Sequence, residues 1–303
     1  MAAGTNTFQT YQTVGIREDL IDIITNISPV ENWFLKNSGT VKAKQTYHEW
    51  QTDALAAATA NAIVEGEIAS ATAITPTTRL GCYTQILKKD FSVTDTNEAT
   101  VAAGRASEIA YQKAKFTKEL SNDIEYALIN NTACVSGASG TARQLKGVLG
   151  WITTNITTGA STSGVNETDF NTVLGLIWAQ GGTEPYTALA GYVQKRYISA
   201  FTGNNTRFNE IEKAKIQSTV NIYESDAGKV VIQKHRVLNV APNLGTVVIL
   251  GDMDLWRKAW LRQAGWEKMA RTGSFQHWHI ESELTLESLQ EKGSGKLSGY
   301  KTT

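Results

Sequence analysis

The chain has 303 residues, of which 41% are hydrophobic and 19% are charged. Its 29 basic and 29 acidic side chains cancel, which argues against the basic surplus of proteins that grip DNA through its phosphates. The low charge suits surfaces buried against other protein and permits self-association, although a loop-rich soluble protein fits the composition equally well.

Two cysteines are too few for a disulfide framework or a zinc ribbon, so Cys82 and Cys134 are predicted to be reduced thiols. The segment Met1–Thr13 has neither a basic nor an apolar stretch, and no signal peptide is expected. No apolar run approaches the ~18 residues of a membrane span. We therefore expect a protein that is made and used in a cytoplasm, or packed into something assembled there, without membrane contact.

The first forty residues are typical of an arm. Leu20, Ile23, Ile24 and Ile27 predict a short amphipathic helix over Arg17–Ile27. Ser28-Pro29 ends this helix, because the residue before proline disfavours the helical conformation. A helix this short needs a docking surface, and the apolar run Trp33–Leu35 is a candidate anchor.

The next region predicts a long β-hairpin. Two strand-like runs, Thr40–Gln51 and Tyr83–Val93, flank an Ala- and Thr-rich stretch, Asp53–Ala73. A hairpin with so few apolar residues cannot build a core and is stable only when it lies on other protein. A mobile surface insertion is the alternative interpretation.

Asn97–Asn131 carries the strongest local pattern in the chain. Ile109, Phe116, Leu120 and later apolar residues recur at helical spacing, and Thr94 or Asp95 before Glu98 offers a capping box. One helix of some 33 residues would be about 50 Å long. Because the expected radius of gyration is about 19 Å, this helix would be a spine that crosses the whole molecule.

The second half alternates between helices and strands and predicts an α/β or α+β sub-domain. Helices are expected over Asp169–Gln180, which ends at Gly181-Gly182, and over Tyr192–Phe201. The remaining predictions in this half are strands, over Val220–Glu224, Val230–His235, Val237–Val240, Thr246–Leu250 and Gln276–Leu289. Glu291–Thr303 is rich in Gly, Ser and Lys, and predicts an unstructured tail.

The sequence offers little for catalysis or metal binding. Gly293–Lys296 lacks the spacing of a phosphate-binding loop. His277 and His279 have no third ligand nearby, and Asp252 and Asp254 fit a turn and helix cap better than paired catalytic carboxylates. No Ser/His/Asp arrangement is indicated. We expect neither an enzyme nor a cofactor.

The order of these parts, together with short motifs along nearly the whole chain, resembles the major capsid proteins of tailed bacteriophages with the Hong Kong 97-type fold. The motifs are Gly15–Leu20, Ile27–Pro29, Thr46–Gln51 with Asp53 and Leu55, Gly104-Arg105, Asp123–Glu125, Tyr223–Gly228 and Lys268–Gly273. Ser288–Glu291 matches only loosely the segment that follows the last strand in that family.

The resemblance implies an α+β fold with an N-terminal arm, an extended loop, a peripheral domain containing the spine helix, and an axial domain. The implied boundaries are 1–38 for the arm, 39–93 for the extended β-hairpin loop, 94–164 for the peripheral domain, 165–255 for the axial domain, 256–290 for the return to the peripheral domain, and 291–303 for the tail.

The implied function is a structural shell subunit that assembles into pentamers and hexamers and encloses double-stranded DNA in an icosahedral head. The main partner is expected to be other copies of the same chain. Scaffolding, portal and cement proteins are further expected partners, and contact with DNA is expected to be non-specific. We expect a virion protein assembled in the host cytoplasm. The predicted inter-subunit contact residues are Trp33, Phe34, Tyr47, His48, Trp50, Glu65, Glu67, Arg105 and Arg271.

Two alternatives stay open at this point. A cellular nanocompartment shell would share the fold but enclose an enzyme. The eight tryptophans and the Thr/Asn richness also fit a carbohydrate-binding or tail-associated adhesion protein, which predicts aromatic platforms on a separate β-domain and no long helix.

Overall fold

The computed structural model describes residues 32–68, 71, 73–201 and 220–302. The predicted arm helix Arg17–Ile27 lies outside these residues. The described helices are α1 Trp33–Asn37, α2 Asp95–Ala99, α3 Glu108–Asn130, α4 Val148–Trp151, α5 Glu167–Ala179 and α6 Tyr192–Ser199. The described strands are β1 Gly39–Lys42, β2 Tyr47–Thr52, β3 Thr78–Tyr83, β4 Gln85–Thr94, β5 Ile156–Thr158, β6 Tyr186–Ala190, β7 Ile222–Ser225, β8 Gly228–Lys234, β9 Val248–Gly251, β10 Trp256–Lys268, β11 Phe275–Ser288 and β12 Ser294–Ser298.

The spine helix α3 packs on a four-stranded sheet, which we call the peripheral sheet and whose order is β1-β10-β11-β4. Leu120, Ile124 and Leu128 lie on one face of α3 and are buried in the core that includes β11 residues such as Leu284. These side chains follow the helical spacing found in the sequence. Their burial, together with the long antiparallel pair β10–β11, fixes the helix to the sheet.

The spine is shorter than predicted, because the chain breaks between α2 and α3. Gly104 takes a φ of 80° in this break, a conformation that favours glycine. The Glu98 carboxylate accepts hydrogen bonds from Ser107 Oγ (2.6 Å) and from the Ile109 amide (3.1 Å). Glu98 therefore supports the start of α3 instead of continuing one helix from Asn97, and the 23 residues of α3 span about 35 Å.

The hairpin is also shorter than predicted. Strands β2 and β3 pair antiparallel from Tyr47–Tyr83 to Thr52–Thr78. The outer parts of the two predicted strands belong elsewhere, since β1 pairs with β10 and β4 pairs with β11 in the peripheral sheet. Only the middle of the predicted hairpin projects from the core.

The second sheet has six described strands in the order β5-β12-β9-β6-β8-β7, and we call it the axial sheet. Helix α5 covers it with Phe170, Val173 and Leu174, which are fully buried. The β7–β8 hairpin predicted around residues 225–228 is present. Val237–Asn239 forms a 3-10 turn and not the predicted strand.

The prediction of an unstructured tail is wrong for most of the tail's length. Strand β12 lies between β5 and β9, and Leu297 and Tyr300 are buried in the axial core. Tyr300 Oη donates a 2.7 Å hydrogen bond to Asp169 Oδ2. Distant partners order a segment whose own composition favours no structure.

A buried polar cluster connects helix α1, the spine helix α3 and the end of strand β8 in the axial sheet. We call this cluster the Glu125 junction. The Glu125 carboxylate on α3 accepts hydrogen bonds from the amides of Phe34 and Leu35, both 2.7 Å long. His235, directly after β8, contributes Nε2 at 2.7 Å. Both the Glu125 and His235 side chains have no exposed surface, so three elements share one buried carboxylate.

The two cysteines form a disulfide, contrary to the prediction of reduced thiols. Cys82 on β3 and Cys134 after the spine lie with Cα atoms 5.8 Å apart. The bond ties the root of the hairpin to the end of the spine helix.

Candidate assembly interface

The segment between β2 and β3, residues 53–77, presents apolar side chains without cover, and we call it the extended loop. Within its described residues, five large aliphatic side chains keep between 75% and 100% of their surface exposed. Exposed apolar surface of this extent marks a contact with other protein. These side chains are Leu55, Ile63, Val64, Ile68 and Ile74.

The extended loop is also acidic. It contains Asp53, Glu65 and Glu67 and no Lys or Arg. The Glu67 amide donates to the Val64 carbonyl at 3.1 Å, which closes a turn around Gly66 with a φ of 87°. The two predicted contact residues Glu65 and Glu67 are therefore exposed on either side of one turn.

The base of the hairpin is held firmly by its own subunit. Trp50 is buried, its Nε1 donates to the Ser288 carbonyl at 2.7 Å, and its ring centroid lies 5.4 Å from that of Trp151. His48 Nε2 lies 3.6 Å from Glu287 Oε2. Because the base is anchored and the loop is not, the hairpin presents the loop away from the core.

Two of the predicted contact residues point inward. Phe34 has no exposed surface and packs edge-on against Trp256, and Trp50 keeps 8%. Both belong to the subunit's own core, so Phe34 and Trp50 are withdrawn as inter-subunit contacts. Trp33 packs partly against the same core. An aromatic side chain in a short apolar run fits its own core as well as a neighbour, and the sequence could not separate the two.

The other predicted contact residues lie at separate surface points. Tyr47 is 38% exposed and its ring centroid is 4.6 Å from that of Tyr83. Arg105 is partly exposed, pairs with Glu108 and lies over the Tyr111 ring.

Arg271 is exposed on the turn between β10 and β11 and pairs with Asp95. The structure brings together Tyr47 and His48 on one strand, and Glu65 and Glu67 on one turn. It does not bring the two arginines to either place.

Sequence reasoning missed Ile63, Val64 and Ile68 as contact residues. Their signal was present, because they are aliphatic side chains in a stretch that otherwise consists mainly of small and polar residues.

The described side chains with catalytic or metal-binding potential have structural partners. His277 lies beside Ser92 and Asp90, and His279 beside Glu267. Across the described ranges no three His, Cys, Asp or Glu side chains form a metal-sized cluster. No helix in this part of the chain has the length and apolarity to cross a membrane.

Two further candidate motifs are also structural. Asp252 Oδ1 accepts from the Asp254 amide at 2.9 Å and caps the turn there. Lys296, which lies on β12, donates a 2.9 Å hydrogen bond to the Leu149 carbonyl on α4.

Comparison with known proteins agrees with this geometry. The model of the SU10 major capsid protein family matches residues 3–301. The major capsid protein of Escherichia phage Phieco32 is 36% identical over 127 residues, which cover 42% of this chain and 36% of that protein. The chain thus aligns with about a third of the length of this relative.

Solved structures show the same fold at low identity. The capsid of a native GTA particle matches with a TM-score of 0.71 at 10% identity, over 96% of this chain and 97% of that one. The capsid of cyanophage P-SCSP1u matches with a TM-score of 0.66 at 12% identity, over 99% and 97%. The predicted Hong Kong 97-type α+β capsid fold is confirmed. The chain belongs to the SU10 major capsid protein family.

Proposed function

We propose that this chain is a structural tile that assembles with copies of itself into a closed protein shell. The observation that carries the proposal is the extended loop, whose aliphatic side chains are exposed although its base is anchored in the core. A loop that contacts an adjacent copy buries these side chains, and a heterologous contact of this kind repeats around a ring.

The shell has the architecture implied by the family: pentamers and hexamers in the icosahedral head of a phage, with double-stranded DNA inside. Family membership favours this role over an adhesion protein. Zero net charge supports a diffuse, non-specific contact with DNA, since strong phosphate binding requires a surplus of cations. Scaffolding, portal and cement proteins belong to the same proposal, and the role is structural and not catalytic.

The remaining contact residues have defined places in this proposal. Tyr47 and His48 lie at the base of the hairpin, and Glu65 and Glu67 lie at the turn of the extended loop. Trp33, Arg105 and Arg271 provide separate contacts on the peripheral side. The division into arm, extended loop, peripheral and axial parts stays a prediction.

Negative-stain electron microscopy and sedimentation velocity on the full chain test the proposal. We expect shells, tubes or capsomer rings, whose amount does not change after nuclease treatment because protein contacts hold them. If the chain stays monomeric at micromolar concentration, alone and when co-expressed with the assembly proteins of its phage, the tile proposal is wrong.

A further inference from the structure

The two cysteines lie where the base of the hairpin meets the end of the spine helix. Cys82 is on β3, and its side chain has no exposed surface. Cys134 follows α3 and is partly exposed, and the Cα atoms of the two residues are 5.8 Å apart. A small reagent in solution therefore reaches the Cys134 sulfur first and the Cys82 sulfur only through it.

Backbone amides point at both sulfur atoms. The Tyr83 amide donates to Cys134 Sγ at 3.1 Å, and the Lys146 amide donates to Cys82 Sγ at 3.2 Å. Hydrogen-bond donors at a sulfur atom stabilise the thiolate, which is the form in which cysteine reacts. Because both donors belong to the backbone, they stay beside the sulfurs when the bond is reduced. The site therefore favours thiol chemistry over two inert buried thiols.

His48 is a proton acceptor beside the cysteine pair. It lies directly opposite Cys82 in the β2–β3 ladder, so the two side chains share one face and their Cβ atoms are about 5 Å apart. His48 Nε2 has no hydrogen-bond partner within the described part of the chain, and Glu287 Oε2 is 3.6 Å away. A neutral imidazole can take the proton of the Cys82 thiol here, and Glu287 stabilises the imidazolium that forms.

The disulfide closes a long stretch of the peripheral part of the chain. Its two cysteines are 52 residues apart in sequence, and the stretch between them contains β4, α2 and the spine helix α3. The base of the hairpin is also held by the β2–β3 pairing and by Trp50. Closing so long a stretch reduces the freedom of the unfolded chain and opposes local opening of the hairpin.

We propose that Cys82 and Cys134 form a redox clasp, which is open as a dithiol during assembly in the host cytoplasm and closes as a disulfide once the particle is outside the cell. Cytoplasmic thiols are kept reduced, whereas disulfides persist in an oxidising medium. The open clasp leaves the base of the extended loop free to adjust while copies come together, and the closed clasp fixes it afterwards. The inference rests on the proposed shell function and assigns a regulation to the loop that serves it.

Closure needs a two-electron oxidant, and a low-molecular-weight disulfide such as oxidised glutathione is sufficient. The Cys134 thiolate, whose proton has gone to water, attacks one sulfur of oxidised glutathione, and one glutathione thiolate leaves from the mixed disulfide. The Cys82 thiolate, whose proton has gone to His48, then attacks Cys134 Sγ and expels the second glutathione thiolate. The two leaving thiolates take up the two protons, so the cysteine pair is oxidised and oxidised glutathione is reduced to two thiols.

Thiol counting before and after release tests the clasp. Cells that contain the full chain are quenched in acid and alkylated with N-ethylmaleimide in denaturant, and released particles are alkylated in the same way after treatment with oxidised glutathione. Because the chain has two cysteines, we expect the intact mass to show two added maleimides in the quenched cells and none in the treated particles. A disulfide in the quenched cells, or two free thiols after the treatment, overturns the clasp.

The rate of closure tests the role of His48. His48→Gln should slow the conversion of the mixed disulfide into the closed bond about tenfold or more in the native chain, and should not change the rate in concentrated urea. His279→Gln is the matched control, since His279 lies 3.7 Å from a carboxylate and is as buried as His48 but has no cysteine opposite it. Equal native rates for His48→Gln and the wild type overturn the assignment of His48.

Stability and particle yield separate the clasp from the shell function. Reduction should lower the melting temperature of the unassembled wild-type chain by about 5 °C, and should not change that of a variant with Cys82→Ala and Cys134→Ala. Wild-type chains kept under reductant should form particles in full yield. An unchanged melting temperature, or particles that form only from oxidised chains, overturns the clasp. Failure of wild-type chains to form particles in either state overturns the shell function, while the unassembled chain still tests the clasp.

Discussion

The Glu125 junction and the extended loop differ in what they leave unsatisfied. At the junction, a carboxylate without exposed surface has three hydrogen-bond partners from two other parts of the chain, helix α1 and the residue after β8. In the loop, five large aliphatic side chains keep 75% to 100% of their surface exposed, so no described part of the subunit covers them. The comparison separates residues that hold the subunit together from residues that we propose hold copies together. Mutations in the two regions should therefore separate folding from assembly.

The largest effect on folding should come from Glu125→Ala. This change leaves the amides of Phe34 and Leu35 and the His235 imidazole buried without their acceptor. Unpartnered buried donors and a broken buried pair should lower the free energy of unfolding by about 3–5 kcal/mol. Urea unfolding of unassembled subunits, followed by tryptophan fluorescence, measures the loss.

The control for this change lies on the same helix. Glu119 is partly exposed and only 3.8 Å from Lys115, so Glu119→Ala should change the unfolding free energy by no more than about 0.5 kcal/mol. Equal effects of the two substitutions would show that the junction does not hold the subunit together.

The next effect should come from Leu297→Ala on β12. Leu297 is fully buried between α5 and the axial sheet, and truncation of such a leucine costs about 2–5 kcal/mol. Ile222→Ala on the edge strand β7 is the matched control, since Ile222 is 51% exposed and should lose less than about 1 kcal/mol. The same urea titration compares them, and a neutral Leu297→Ala would contradict the central position of β12.

Particular elements of the fold show what the sequence could and could not predict. Phe170, Val173 and Leu174 repeat at helical spacing, so α5 was predictable from neighbours in the chain. Strand β12 was not, because its order comes from pairing with β5 and β9, more than forty residues away. The projection of the extended loop was predictable, because residues 53–77 contain few large apolar side chains. The inward direction of Phe34 and Trp50 depends on tertiary packing, which no local pattern contains.

A smaller effect should appear as a pH dependence at Lys195. The Lys195 amine on α6 is buried and donates to the Val220 carbonyl and to Asn221 Oδ1. Its burial, together with the nearby positive charge of Lys234, lowers the pKa of Lys195 to about 8. Between that pH and the usual pKa of 10.5, the unfolded chain binds more protons at this site than the folded chain. The Lys195 contribution to stability therefore rises as pH increases through this range.

Lys195→Met removes this titration. We expect the stability of the variant relative to wild type to be greatest near pH 7 and to fall as the pH rises from about 8 to 10. Parallel urea titrations at pH 7, 8.5 and 10 measure it. Lys118→Met, at an exposed position of the spine, should give a flat difference, and a flat difference for Lys195→Met as well would contradict the prediction.

The smallest effect on folding should come from the extended loop, although its effect on assembly should be the largest. Replacing Ile63, Val64 and Ile68 by serine removes side chains that touch little of their own subunit. The unfolding free energy should change by no more than about 0.5 kcal/mol. Particle yield, measured by sedimentation and electron microscopy, should fall at least tenfold, because each subunit loses the apolar area that we propose it buries on its neighbour.

The matched control is the replacement of three exposed alanines of the same loop, Ala57, Ala58 and Ala60, by serine, which changes composition but little aliphatic area. It should keep both stability and yield. A loop variant that loses more than about 1 kcal/mol of stability would show that these aliphatic residues support their own subunit. The distinction between a self-contained junction and a loop completed only by a neighbour would then fail, since the same side chains would serve folding and assembly together.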